Sequence, residues 1–83
     1  MTSSQLLDQV AGVMGSLFGV DTEQIVLETT RESLDGWDSL NHINLILDLE
    51  SHFGIHIAET DVPELTSVSK IISVIEKQLT QSG

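Results

Sequence analysis

The chain predicts an all-α fold: a small four-helix bundle made of three main helices and a short third one, with a long loop between helices 1 and 2. Two observations point to it. Apolar residues recur at steps of three and four over 6–18, 40–53 and 68–79, and glycines stand just past the first two of those stretches. The 83 residues include no cysteine, so a domain of this size must rest on packed helices, without disulfides or thiolate metal sites. An apolar share of 40% suffices for one core, and an aromatic share of 4% makes that core aliphatic.

The first helix is read from Leu6, Leu7, Val10, Val13, Met14, Leu17 and Phe18, and Gly19 ends it. Gly12 and Gly15 lie inside and weaken it by about 1 kcal/mol each relative to Ala. Tertiary packing must then hold this helix, or the glycines admit the close approach of a neighbouring one. Residues 20–37 show no sustained period and form the long loop, with a short turn around Asp21 to Ile25. Ile25, Leu27 and Leu34 are expected to pin that loop to the core. The second helix runs from about Asp38, its N-cap, to Phe53, and Gly54 terminates it. A short third helix is expected near Glu59 to Val62, ahead of Pro63. The last helix begins near Ser67, capped by Thr66 or Ser67, with Val68, Ile71, Ile72, Ile75 and Leu79 as its core stripe. No repeat, low-complexity stretch or linker divides the chain, so 1–83 reads as one free-standing domain with an ordered core at about 5–80.

Thirteen acidic residues against three Lys and Arg give a formal charge of −10, which repels phosphate backbones and anionic lipid surfaces. Nucleic-acid and membrane binding are disfavoured, and partners with basic patches are favoured. No apolar run approaches the ~20 residues of a membrane span, and the N-terminus lacks the basic start of a signal peptide. The expectation is a cytosolic, monomeric protein.

The second helix has more apolar surface than one core needs. Leu40, Ile43 and Leu47 fall on one side, while Ile46, Leu49 and Phe53 fall on another and Leu45 beside them. Together they span roughly 220°, where a core-facing helix needs little over 100°. The Leu40, Ile43, Leu47 strip is therefore the candidate for a docking surface, unless the long loop covers it. Ser39 lies between the two apolar groups, at the helix start.

Ser39 has no neighbouring base and orienting group of the kind a nucleophilic serine needs, and Asn41 stands where the second glycine of a nucleophile elbow would be. This looks like a serine to be modified. Asp35-Gly36-Trp37-Asp38-Ser39-Leu40 and the helical run that follows resemble the acyl carrier protein family. The likeness continues through Phe53-Gly54-Ile55, Ala58-Glu59-Thr60-Asp61 and Leu65-Thr66-Ser67-Val68, about residues 5 to 80. The resemblance implies that a phosphopantetheinyl transferase attaches 4′-phosphopantetheine from coenzyme A to Ser39. Acyl groups would ride on the arm as thioesters, presented to an acyltransferase or ligase, a ketosynthase and other acyl-processing enzymes. The chain itself would catalyse nothing and hold no metal. Partner recognition would fall to Leu40, Ile43 and Leu47, with the acidic Asp38, Glu50, Glu59 and Asp61. Asn41 and Asn44 depart from the acids of typical fatty acid carriers, which favours a specialised polyketide or secondary-metabolite pathway.

An aminoacyl or peptidyl carrier shares Gly36, though Trp37 replaces that branch's second glycine. From a different class, the chain could be an unmodified helical module docking through Leu40, Ile43 and Leu47. A hydrolase using Ser39 is disfavoured by the missing base. Trp37 either covers the start of the second helix as core, the preferred reading, or shields the attachment point. His42 reads as a packing residue, and His52 and His56 as surface residues with no third ligand. Asp35, Asp38 and Asp48 lack calcium-loop spacing and read as caps and solvated surface.

Overall fold

The computed structural model describes residues 3–81, so Met1 and Thr2, with which the domain expected over 1–83 begins, and Ser82 and Gly83 lie outside the described residues. Among the described residues three α-helices form: α1 (Ser3–Phe18), α2 (Ser39–Phe53) and α3 (Val68–Gln81). Single 3-10 turns occupy Thr22–Gln24 and Val62–Glu64. Helix α1 packs on both α2 and α3. The expected short third helix is the second of these turns. It starts three residues later than expected and contains Pro63, because a proline in the first turn gives up only an N–H that has no intrahelical acceptor.

Leu6, Val10 and Met14 of α1 meet Leu45 and Leu49 of α2 and Val68, Ile71 and Ile75 of α3 in a core where each is almost fully buried. Each such aliphatic side chain contributes about 1.5–3 kcal/mol by leaving water. Trp37 is 3% exposed and joins this cluster, as the core reading of that residue requires. Among the described residues no helix is long and apolar enough to cross a membrane.

The loop between α1 and α2 is held differently from expectation. Ile25 is buried and Leu34 packs against the core, but Leu27 is exposed. What anchors that stretch is the backbone. Val68 and Ser69 donate their N–H groups to Thr29 O and Leu27 O at 2.9 and 3.2 Å, and Arg31 N–H donates to Thr66 O at 2.8 Å. An isolated antiparallel bridge pairs Thr30 with Ser67. Loop carbonyls thus take the first amides of α3, which a helix cannot satisfy itself. Ser67 completes the cap, its Oγ accepting from Lys70 N–H at 3.3 Å; Thr66 Oγ1 instead meets Lys70 Nζ at 3.4 Å.

The two glycines inside α1 separate in function. A Cβ on Gly15 would lie 2.9 Å from Val20 O and 3.2 Å from Thr22 Cγ2, whereas one on Gly12 would meet nothing within 4 Å. The nearest approach at Gly15 is therefore made by the chain leaving α1, through Val20 and the first residue of the 22–24 turn. Gly12→Ala is expected to raise stability by roughly 0.5–1 kcal/mol through helix propensity. Gly15→Ala is expected to lower it by about 1 kcal/mol or more, because a backbone carbonyl must move. Urea denaturation of the two variants checks the opposite signs.

Candidate functional site

The start of α2 is built by Asp38. Its backbone is extended (φ −97°, ψ −175°) and its carboxylate accepts from Asn41 N–H at 2.8 Å, as its N-cap reading requires. Ahead of it Gly36 turns the chain at φ 91°, a conformation costly for any residue with a Cβ. The Gly36 carbonyl accepts from Asn41 Nδ2 at 2.8 Å, so the first turn of the helix and the preceding loop hold each other. Ser39 is the first helical residue, and its side chain is exposed.

One side chain reaches the Ser39 hydroxyl. Arg31 Nη2 donates to Ser39 Oγ at 3.0 Å, while its Nε donates to Trp37 O at 3.4 Å. This contact is absent from the sequence reading above. The available signal is that Arg31 is the sole lysine or arginine before Lys70, but nothing local ties it to a serine eight positions on.

Beneath the site Trp37 and His42 form a buried polar pair. The indole Nε1–H donates to His42 Nδ1 at 2.9 Å, and His42 Nε2 lies 2.7 Å from Val62 O. Because Nδ1 accepts, the ring hydrogen sits on Nε2 and donates to that carbonyl. The rings stack with centroids 6.1 Å apart, and Phe18 covers the other part of the indole at 6.0 Å. His42 is thus core, as expected, and also a link from α2 to the 62–64 turn. Both its nitrogens are committed away from Ser39.

Outward of Ser39 the strip Leu40, Ile43 and Leu47 stands 72%, 50% and 58% exposed, so the long loop leaves it bare. Glu59 and Asp61 are also exposed. Glu50 is placed otherwise. Its Oε2 accepts from Ile57 N–H at 2.8 Å and lies 3.4 Å from His56 Nδ1, closing the turn after α2 where Gly54 takes the left-handed conformation. His52 and His56 are exposed, with His52 Nε2 2.9 Å from Gln9 Oε1. Among the described residues no three His, Asp or Glu side chains gather to hold a metal.

Chemically, the only side chain bonded to Ser39 Oγ among the described residues is a guanidinium, which cannot take its proton. A cation and the N-terminal end of a helix dipole beside an exposed hydroxyl suit a phosphate ester, so the residues present fit a phosphopantetheine attachment. The family model described as "Phosphopantetheine attachment site" matches residues 8–75. The chain belongs to the acyl carrier protein family. The acyl carrier protein of Thermotoga maritima is 32% identical over 90% of this chain and 93% of its own length, and that of Chlorobium phaeobacteroides 32% over 94% and 100%. A solution structure of holo acyl carrier protein from Geobacter metallireducens superposes with a TM-score of 0.82 at 32% identity, covering 92% of this chain and 87% of that one. An acyl carrier protein from Enterococcus faecalis shares the fold, with a TM-score of 0.75 at 24% identity over 94% of this chain and 99% of that one. The chain is accordingly a non-catalytic carrier whose prosthetic group is 4′-phosphopantetheine. A phosphopantetheinyl transferase and acyl-processing enzymes are its general class of partner.

His42→Leu leaves the buried indole N–H without an acceptor and is expected to cost about 1–3 kcal/mol. In the double variant with Trp37→Phe the loss should be smaller than the sum of the two single losses, a coupling that a double-mutant cycle of urea denaturation reads directly.

Proposed function

We propose that Ser39 is the attachment residue and that this carrier serves a specialised pathway, of polyketide or other secondary-metabolite type, in the cytosol as a monomer. The observation that supports the site best is the exposed Ser39 hydroxyl at the first position of α2, flanked by the bare Leu40, Ile43, Leu47 strip. The hydroxyl accepts its bond from Arg31, which leaves its own hydrogen free for a base supplied by the transferase. When bound, the arm supplies a thiol at the end of a flexible tether, which raises the effective concentration of an acyl group at each partner's active site.

The strip and the acids around it set how partners meet the chain. Weak, reversible docking suits a shuttle, and a small apolar contact steered by charge has that character. The pathway reading rests on the composition of this face. Asn41 holds the Gly36 carbonyl with its amide, a bond that an ionised aspartate could not donate, and Asn44 Nδ2 lies 3.5 Å from Asn41 Oδ1. Of the acids expected to meet partners, Asp38 is engaged as a cap and Glu50 in the turn after α2. The face is thus more apolar and less acidic than one specialised for the acid-guided docking of bulk fatty acid carriers.

Ser39→Ala is expected to keep the fold and abolish loading, read by intact mass and peptide mapping after incubation with coenzyme A, magnesium and a broad-specificity transferase. Loading elsewhere in the chain would refute the site, and no loading of folded wild type would favour an unmodified docking module. Leu40→Asp or Ile43→Asp is expected to slow partner turnover while changing thermal stability little, since both side chains already face solvent. Offering the loaded carrier malonyl, fatty acyl and aminoacyl donors in parallel tests the pathway; charging by an amino-acid-adenylating enzyme would replace the proposed class with a peptidyl one.

A further inference from the structure

The fold delivers Arg31 to Ser39 with its charge uncommitted. Its backbone is fixed by the bond to Thr66 O, next to the Thr30 and Ser67 bridge, and its side chain lies across the Trp37 carbonyl to the serine. Among the described residues no carboxylate lies within ion-pair distance of this guanidinium, in a molecule with thirteen acids. Its two bonds go to neutral oxygens, and donors of the planar fork are left over. An arginine so placed has a better acceptor available as soon as a negative phosphate oxygen appears beside Oγ.

We propose that Arg31 is a phosphodiester-binding residue, which on loading exchanges its bond with the Ser39 hydroxyl for charge-assisted bonds to the non-bridging phosphate oxygens. This rests on the reading of Ser39 as the attachment site. Esterification turns the Oγ into a poorer acceptor and places a negative charge on the non-bridging oxygens two bonds beyond it, so the exchange is favoured on both counts. The same charge enters a chain already at −10, with Asp35 and Asp38 exposed on either side of Trp37. Arg31 offsets that repulsion. It also restricts the first rotatable bonds of the arm and ties its root to the loop that α3 holds.

The test compares apo and loaded forms of wild type, Arg31→Gln and Arg31→Lys, with loading at Ser39 verified by mass and peptide map. The Arg31 Nε–H resonance of wild type should shift on loading, and so should the phosphorus resonance between loaded wild type and loaded Arg31→Gln. The holo-minus-apo change in Tm should be more positive in wild type than in Arg31→Gln by roughly 2–4 °C at low salt, and the gap should shrink at high salt. Arg31→Lys should keep part of the gap, since it keeps the charge without the fork. An unmoved Nε–H resonance, or equal holo-minus-apo changes in wild type and Arg31→Gln, overturns the proposal. Slower loading of Arg31→Gln with equal changes also overturns it, assigning the residue to the transferase encounter instead. If Arg31→Gln fails to fold, the wild-type Nε–H resonance alone decides. Failure of wild type to load at Ser39 would instead sink the attachment reading, and this proposal with it.

Discussion

The backbone pairing between residues 27–31 and 66–69 is the constraint on which the rest of the molecule depends. A loop of this length has many amides and carbonyls to satisfy, and the first turn of α3 has amides with no intrahelical partner. Thr29 O and Leu27 O meet the Val68 and Ser69 amides respectively, so each deficit answers the other. Thr29 closes the arrangement locally, its Oγ1 accepting from Val26 N–H at 2.9 Å while the residue itself is buried. With that stretch fixed, Arg31 projects toward the start of α2, and Ile25 and Leu34 are brought to the core on either side of it.

The start of α2 is then held from three directions. Asp38 satisfies the first turn from within, Asn41 ties it back to Gly36, and the Trp37 and His42 pair connects it to Val62. All three are polar interactions at the edge of an aliphatic core. Their geometry is directional, which dispersion and hydrophobic burial are not, and so they can fix a single side chain's position where packing alone would fix only a face. The result is a rigid platform under a hydroxyl that is itself exposed.

Much of this was legible in the residues. Helix periodicity located α1, α2 and α3, and the capping roles of Asp38, Ser67 and Gly54 follow from short-range chemistry. The angular spread on α2 separated the buried Leu45, Ile46 and Leu49 from the bare Leu40, Ile43 and Leu47. What escaped was set by distant partners. Leu27 is an apolar loop residue whose backbone, and not its side chain, does the anchoring, and periodicity says nothing about that. Glu50 has the sequence of a surface acid, yet a turn seven residues on draws it in. Gly12 and Gly15 look alike until the chain leaving α1 is placed. Arg31 depends on the pairing with Thr66, which no local pattern contains.

The burial of Trp37 has an optical consequence. It is the chain's single tryptophan, 3% exposed, stacked on one ring and hydrogen-bonded through its indole nitrogen two residues before Ser39. Its emission is therefore expected to be blue-shifted in the native state and to sample the loop and α2 junction, not the molecule as a whole. Far-ultraviolet circular dichroism averages over all three helices. Where the two signals part company along a denaturation curve, the divergence measures how independently this corner of the protein opens.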